Sequence, residues 1–207
     1  MTTSVDRSPE RLVFFSDAVV AIALTLLILP LVDAVQEAAA DHAHSFEVIS
    51  GNQWKIYSFL LSFAVISRMW MSHHRLFEQV KAYNHALMAA NIWWLLTIVV
   101  LPFPTEMIGG FDEDRFTATF YIGTILATNL CLLTMILIVR ADPALLRTDA
   151  GALDRQRFAS ALNAGLLALG LALAALVPRV GYFALLLLLL VAPAAQIRDR
   201  RIARTRA

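Results

Sequence analysis

Long apolar runs, divided by short polar or proline-bearing stretches, set the pattern of this chain. A helix crossing a hydrocarbon core needs about 20 apolar residues. Six runs meet or approach that length, at residues 11–29, 52–72, 85–102, 116–139, 158–177 and 182–195. Ser8, Pro9 and Glu10 give the first run a helix start, with a capping hydroxyl, a proline at the first helical position and an acid in the first turn. Pro30 and Asp33 are expected to end or kink it. Residues 36–50 then read as a polar, acidic connection containing Glu37, Asp41, His42, His44 and Glu47. Pro102, Phe103, Pro104 and Thr105 mark a turn after the third run, and Asp142-Pro143 with Gly151 breaks the link after the fourth. None of the runs shows the alternation of a membrane β-barrel strand, so the pattern predicts an all-α integral membrane protein with six transmembrane helices per subunit.

Composition supports this reading. Of 207 residues, 59% are hydrophobic and 16% charged, and the mean hydropathy of +0.67 excludes an ordinary soluble core. The net charge of +1 matters less than where the charges lie. With the amino terminus inside, the inner segments hold Arg7, Arg11, Arg75, Lys81, Arg140, Arg147, Arg155, Arg157 and the basic tail at residues 198–207, while the outer segments hold Lys55, Arg115 and Arg179. Positive charge is retained on the cytoplasmic side, so both termini are expected there. The tail serves as a topology anchor. The single cysteine, Cys131, allows no intrachain disulfide or cysteine-based metal site.

Ionisable and strongly polar groups at membrane depth are costly and mark candidate sites. Here these are Asp17, Arg68, His73 with His74, Asn91 and Asn129. Asp17 belongs at the cytoplasmic end of the first span, the level at which Arg68, His73 and His74 leave the second. A polar cluster joining the two spans is expected there, and a structural role for it is preferred to a proton relay. Adjacent histidines on a helix point about 100° apart and do not share a ligand, so no metal site is assigned to them. His42 and His44 lie on a loop and are read as solvated. No activated nucleophile, phosphate loop or paired-carboxylate site is present, which argues against an enzyme and against a cofactor. Further along the first span, Ile22, Leu26 and Leu29 recur at helical spacing with Thr25 at their edge. Spacing alone fits either a packed stripe or one that faces a pore.

The run Arg11-x-x-x-Phe15-Ser16-Asp17, followed by Ala18, Val19, Ala21-Ile22 and Thr25-Leu26-Leu27, resembles the first-helix signature of the transmembrane protein 175 family of potassium channels. Trp70, His73-His74 and Phe77 extend the resemblance past the second span, and Asn91, Trp93 and Pro102-Phe103-Pro104-Thr105 extend it around the third. Spans four to six agree only in number and topology. Where bacterial members often have Gly after the aspartate, this chain has Ala18. The resemblance implies a prokaryotic-type single six-helix unit that assembles as a homotetramer, with four copies of the first helix lining a central pore. It also implies that there is no carbonyl-loop filter, and no Thr-Val-Gly-Tyr-Gly stretch occurs in the chain. Carried over, Ile22 becomes the main hydrophobic constriction, Leu26 and Leu29 form further apolar rings, and Thr25 forms a hydroxyl layer tied to selectivity. Arg11, Phe15, Ser16, Asp17 and Trp93 join a structural polar cluster with His73 or His74, the choice between the two histidines staying open.

The function implied is a passive potassium-permeable cation channel gated by hydrophobic rings, with potassium and other monovalent cations as permeant partners, membrane lipid around it and no nucleic acid. Two readings compete with it. One is a proton-coupled secondary transporter using Asp17 and the histidines, against which the lack of an inverted repeat argues. The other is a non-transporting membrane scaffold.

Overall fold

A computed structural model describes residues 8–42, 44–111, 114–147 and 150–176. The sixth expected span at 182–195, the tail at 198–207 and the last residue of the fifth span lie outside the described residues. In chain order the helices are α1 (Glu10–Leu26), α2 (Leu29–Ala40), α3 (Ser45–Gly51), α4 (Gln53–Phe77), α5 (His85–Val100), α6 (Pro102–Gly110), α7 (Arg115–Ala141) and α8 (Ala150–Leu176), with a 3-10 turn at Pro143–Leu145. The protein is all-α. Among the described residues, four stretches are long and apolar enough to cross a membrane: Glu10–Ala40, His85–Gly110, Arg115–Ala141 and Gly151–Leu176. The 25 residues of α4 exceed the about 20 needed, but Arg68, His73, His74 and Arg75 make its second half polar.

Pro30 kinks the first span, one of the two outcomes expected, without ending it. Its neighbours Leu27 and Ile28 form a loosened turn, with the Ile28 N–H on Thr25 O at 3.4 Å, and Pro30 sits in the first turn of α2, where a missing N–H leaves no bond unmade. The helix then continues to Ala40, so the connection expected at 36–50 is helical over much of its length, through α2 and then α3. Pro102 likewise opens α6, so the expected turn is a junction between two helices.

Amphipathic spacing places each helix. On α1, Leu12, Ser16, Val20 and Ala23 are buried and Leu27 continues the stripe, facing α4 and α5. The middle of the molecule is α7, which packs on α5 and α8 and buries Tyr121, Ile122, Ile125, Leu132, Met135 and Ile136 along one face. Hydroxyls within these helices are satisfied locally. Thr124 Oγ1 donates to Phe120 O, Thr128 Oγ1 to Thr124 O and Ser16 Oγ to Leu12 O, so they enter an apolar interior without an unpaired donor.

Three hydroxyls also tie helices together. Tyr121 Oη lies 3.0 Å from Ser62 Oγ, and Thr105 Oγ1 is 2.8 Å from both Ser62 Oγ and Leu101 O, joining α4, α6 and α7. At the opposite end the loops after α4 and α7 pair with each other. The Lys81 N–H donates to Leu145 O at 2.8 Å and the Arg147 N–H to Gln79 O at 2.7 Å. This gathers Arg75, Lys81, Arg140 and Arg147 at one end of the molecule.

The helix pair α4 and α6 approaches closely at Gly109. A Cβ there would lie 3.1 Å from Lys55 Cα and 3.2 Å from Ser58 Oγ, whereas one on Gly110 would meet nothing within 4 Å. Gly109→Ala is therefore expected to lower stability by about 1 kcal/mol through overpacking, with Gly110→Ala unchanged or slightly more stable. Thermal unfolding of both variants in detergent micelles measures the difference.

Candidate functional site

The polar end of α1 is held by two separate hydrogen-bonded connections. In the first, Asn91 of α5 donates from Nδ2 to Ser16 Oγ at 2.9 Å, and its Oδ1 lies 2.7 Å from His73 Nε2 of α4. All three residues are fully buried. The Asn91 oxygen only accepts, so His73 donates from Nε2. The imidazole lies stacked on Trp94, with ring centroids 4.1 Å apart and 17° between planes, and it also meets the Phe77 ring, tilted at 4.5 Å. In the second connection Trp70 Nε1 donates to Asp17 Oδ1 at 2.7 Å. Charge-assisted bonds of this kind are the stronger class, and this one gives a half-buried carboxylate a donor from α4.

These contacts sort the residues singled out from sequence. Ser16, Asn91 and His73 come together across three helices. His74 points elsewhere, 3.8 Å from Glu78, because a 100° step along the helix turns it away from α5. Trp94, not Trp93, faces the histidine, while Trp93 is 63% exposed and Phe15 is 53% exposed. Arg11 is exposed as well, so none of these last three enters the buried cluster. Arg68 does not meet Asp17, which Trp70 occupies instead. The roles of Trp70 and Trp94 escape sequence reasoning because a tryptophan at a span end, such as Trp70, is ordinarily an interfacial residue, and one in mid-span, such as Trp94, reads as ordinary packing. His44 donates its backbone N–H to Glu47 at the start of α3. Among the described residues no three histidine, cysteine or acidic side chains gather as a metal site.

The opposite face of α1 has a different character. Ile22 is 59% exposed, Leu29 50% and Leu26 42%, while the Val20 and Ala23 beside them are buried. Thr25, also exposed, donates Oγ1 to Ile22 O at 2.8 Å, which leaves its lone pairs turned outward. Leu26 and Leu29 border a cavity of about 400 Å3 near the loosened turn, together with Pro30, Asp33, Lys55 and Glu106. Chemically, the site is a rigidly braced helix presenting an apolar stripe with one hydroxyl.

Breaking the brace has a graded effect. Asn91→Leu leaves His73 Nε2 without an acceptor and Ser16 without a donor, and is expected to cost about 2 kcal/mol. Trp70→Phe, which strips one donor from the half-buried Asp17, costs less. Combined with Ser16→Ala, Asn91→Leu should be non-additive. Unfolding of the purified variants in micelles resolves all three.

Comparison with known proteins agrees with this geometry. A family model described as the endosomal/lysosomal potassium channel TMEM175 matches residues 11–102, the segment holding α1, the brace and the exposed stripe. A potassium channel of Streptomyces collinus is 38% identical over 107 residues, 51% of this chain and 50% of that one. A potassium channel of Chamaesiphon minutus is 35% identical over 121 residues, 56% of this chain and 59% of that one. The chain thus spans about half the length of the curated relatives it matches. The crystal structure of a lysosomal potassium-selective channel TMEM175 homolog from Chamaesiphon minutus superposes with a TM-score of 0.74 at 24% identity, over 90% of this chain and 97% of that one, which establishes a shared fold. The similarity to the TMEM175 family lies in residues 11–102, somewhat under half of the chain.

Proposed function

We propose that this protein is a passive potassium-permeable cation channel, conducting through a central pore lined by α1 from four copies of a six-helix subunit. Both termini lie on the cytoplasmic side of a bacterial plasma membrane. The observation that carries this reading is the exposed stripe of Ile22, Thr25, Leu26 and Leu29 on α1, which lies inside the segment matched by the family and backs onto a face fully packed against α4 and α5. The bacterial relatives' printed names support the ion. The gathering of Arg75, Lys81, Arg140 and Arg147 at one end supports the orientation.

In this arrangement Ile22 forms the narrowest ring. Four isoleucines in van der Waals contact exclude water, and without water an ion meets a large desolvation barrier. A small outward tilt of the four helices rewets the ring and lets a partly hydrated cation through. Thr25 adds a ring of oxygens one turn away, and Leu26 and Leu29 extend the apolar wall. The brace at Ser16 and Asp17 sets the angle at which each helix enters. Arg11, Phe15 and Trp93, exposed on one subunit, supply contacts between subunits. No cofactor takes part in passive conduction.

Two measurements test the reading. In liposomes with a protonophore present, the purified protein should pass potassium down its gradient without a coupling ion. Ile22→Asn, which places a polar ring at the constriction, should raise that flux several-fold. Flux that requires a proton gradient would establish the coupled transporter instead, and flux no greater than in empty liposomes would leave a scaffold. Separately, Ile22→Cys in a Cys131→Ser background should form a disulfide between copies under mild oxidation, read as a dimer band on a non-reducing gel. Cysteine at buried Val20 should not.

A further inference from the structure

A second cavity, of about 590 Å3, lies between α4, α7 and α8 on the side of α4 away from the α1 stripe, and three arginines line it: Arg68 and Arg75 from α4 and Arg155 from α8. Arg68 and Arg75 are seven residues apart, so they occupy one helix face at two levels about 10 Å apart. Among the described residues none of the three has an ion pair. The nearby Asp154 is shared by Arg140 and Arg157, and the one acid on the cavity wall, Glu78, lies beside His74. Three unneutralised guanidinium groups in one pocket repel one another and are costly at the edge of a bilayer.

The wall is polar in a second respect. Trp94 Nε1, Gln79 Oε1 and Asn129 Oδ1 are buried without a partner among the described residues, and all three residues line this cavity. Buried polar groups are ordinarily paired, so the Trp94 N–H stands ready to donate to an occupant, while the two amide oxygens could accept only from its hydroxyls or from water. The pocket floor is closed by side chains already committed to one another: Gln156 Nε2 donates to Ser72 O at 2.7 Å and Gln79 Nε2 to Gln156 Oε1 at 3.3 Å. Towards the middle of the helices the wall turns apolar, with Val65, Met69, Ile125, Leu132 and Leu167.

We infer that this cavity binds a phosphate-bearing anion, its oxygens held by Arg68, Arg75 and Arg155. Guanidinium groups match phosphate geometry with paired N–H donors. The apolar upper wall suits the acyl chains of an anionic phospholipid, whose headgroup would then lie at the basic end of the molecule. Binding there joins α4 to α8 and so ties the helix that braces α1 to the far side of the subunit. The inference needs the membrane setting but not conduction, so it stands apart from the channel reading.

The experiment uses the full-length protein in micelles doped with phosphatidylglycerol or phosphatidylcholine, with inorganic phosphate as a third arm, and reads melting temperature and lipid retained in native mass spectrometry. Wild type should retain phosphatidylglycerol and melt higher with it than with phosphatidylcholine. Arg68→Gln with Arg155→Gln should weaken that binding by about tenfold, the loss of one or more charge-assisted bonds. Arg115→Gln, at the start of α7, should leave it unchanged. If inorganic phosphate displaces the lipid or reproduces its effect, the headgroup phosphate alone is what the site recognises; if it does neither, the lipid is the ligand. Should the double variant not fold, Arg155→Gln alone, on the exposed face of α8, carries the same comparison. Wild type without a preference for either phosphate source, or equal loss in Arg115→Gln, overturns the assignment.

Discussion

One buried amide determines where the first helix sits. Asn91 cannot be placed in an apolar interior unless both ends of its side chain are satisfied, and the two groups that satisfy it, Ser16 and His73, belong to different helices. Shifting α1 by one residue would swing Ser16 about 100° away and leave the Asn91 amide N–H without its acceptor where no water replaces it. Apolar packing is more forgiving, since leucines and valines tolerate small slides. Rotation and height of α1 are therefore fixed by hydrogen bonds, and its stability by the burial of Leu12, Val20, Ala23 and Leu27.

The two sides of α1 thus answer different demands. The buried side carries specificity within the subunit, and Trp70 with Asp17 adds a tie at its edge. The exposed side makes no contribution to the packing of α1 on α4 and α5, so that packing does not account for the composition of its stripe. A similar division holds in α4. Its first half joins α6 and α7 through Ser62, while its second half bears His73 towards α5 and Arg68 and Arg75 towards the α7–α8 cavity.

The positions of the long helices were legible in the sequence because unbroken apolar runs have few alternatives. The polar cluster near Asp17 was legible because an acid at membrane depth demands a partner, although the partner proved to be Trp70. The choice of His73 over His74, and of Trp94 over Trp93, depends on which helix face α5 meets, and no local pattern encodes that. The contact of Ser62, Tyr121 and Thr105 was hidden for the same reason: three unremarkable hydroxyl residues on three helices become a unit only after packing. The sequence leaves open whether Pro30 ends the first span or only kinks it, because proline both ends helices and begins them. The loosened turn just before it, at Leu27 and Ile28, decides which, and its looseness is a property of tertiary contacts. The significance given to Ile22 and Thr25 came from family resemblance, since one subunit's packing explains their exposure without explaining their identity.

That loosened turn has a mechanical consequence. Pro30 supplies no N–H to the preceding turn, and the Ile28 N–H reaches Thr25 O at 3.4 Å, so the helical ladder is already interrupted there. Bending at this point breaks few bonds that are not already absent. Ile22, Thr25 and Leu26 lie below the joint, on the segment clamped by Asn91, while Leu29 lies above it with α2. The stripe is thus divided between a lower segment held by Asn91 and an upper one joined to it only through the loosened turn.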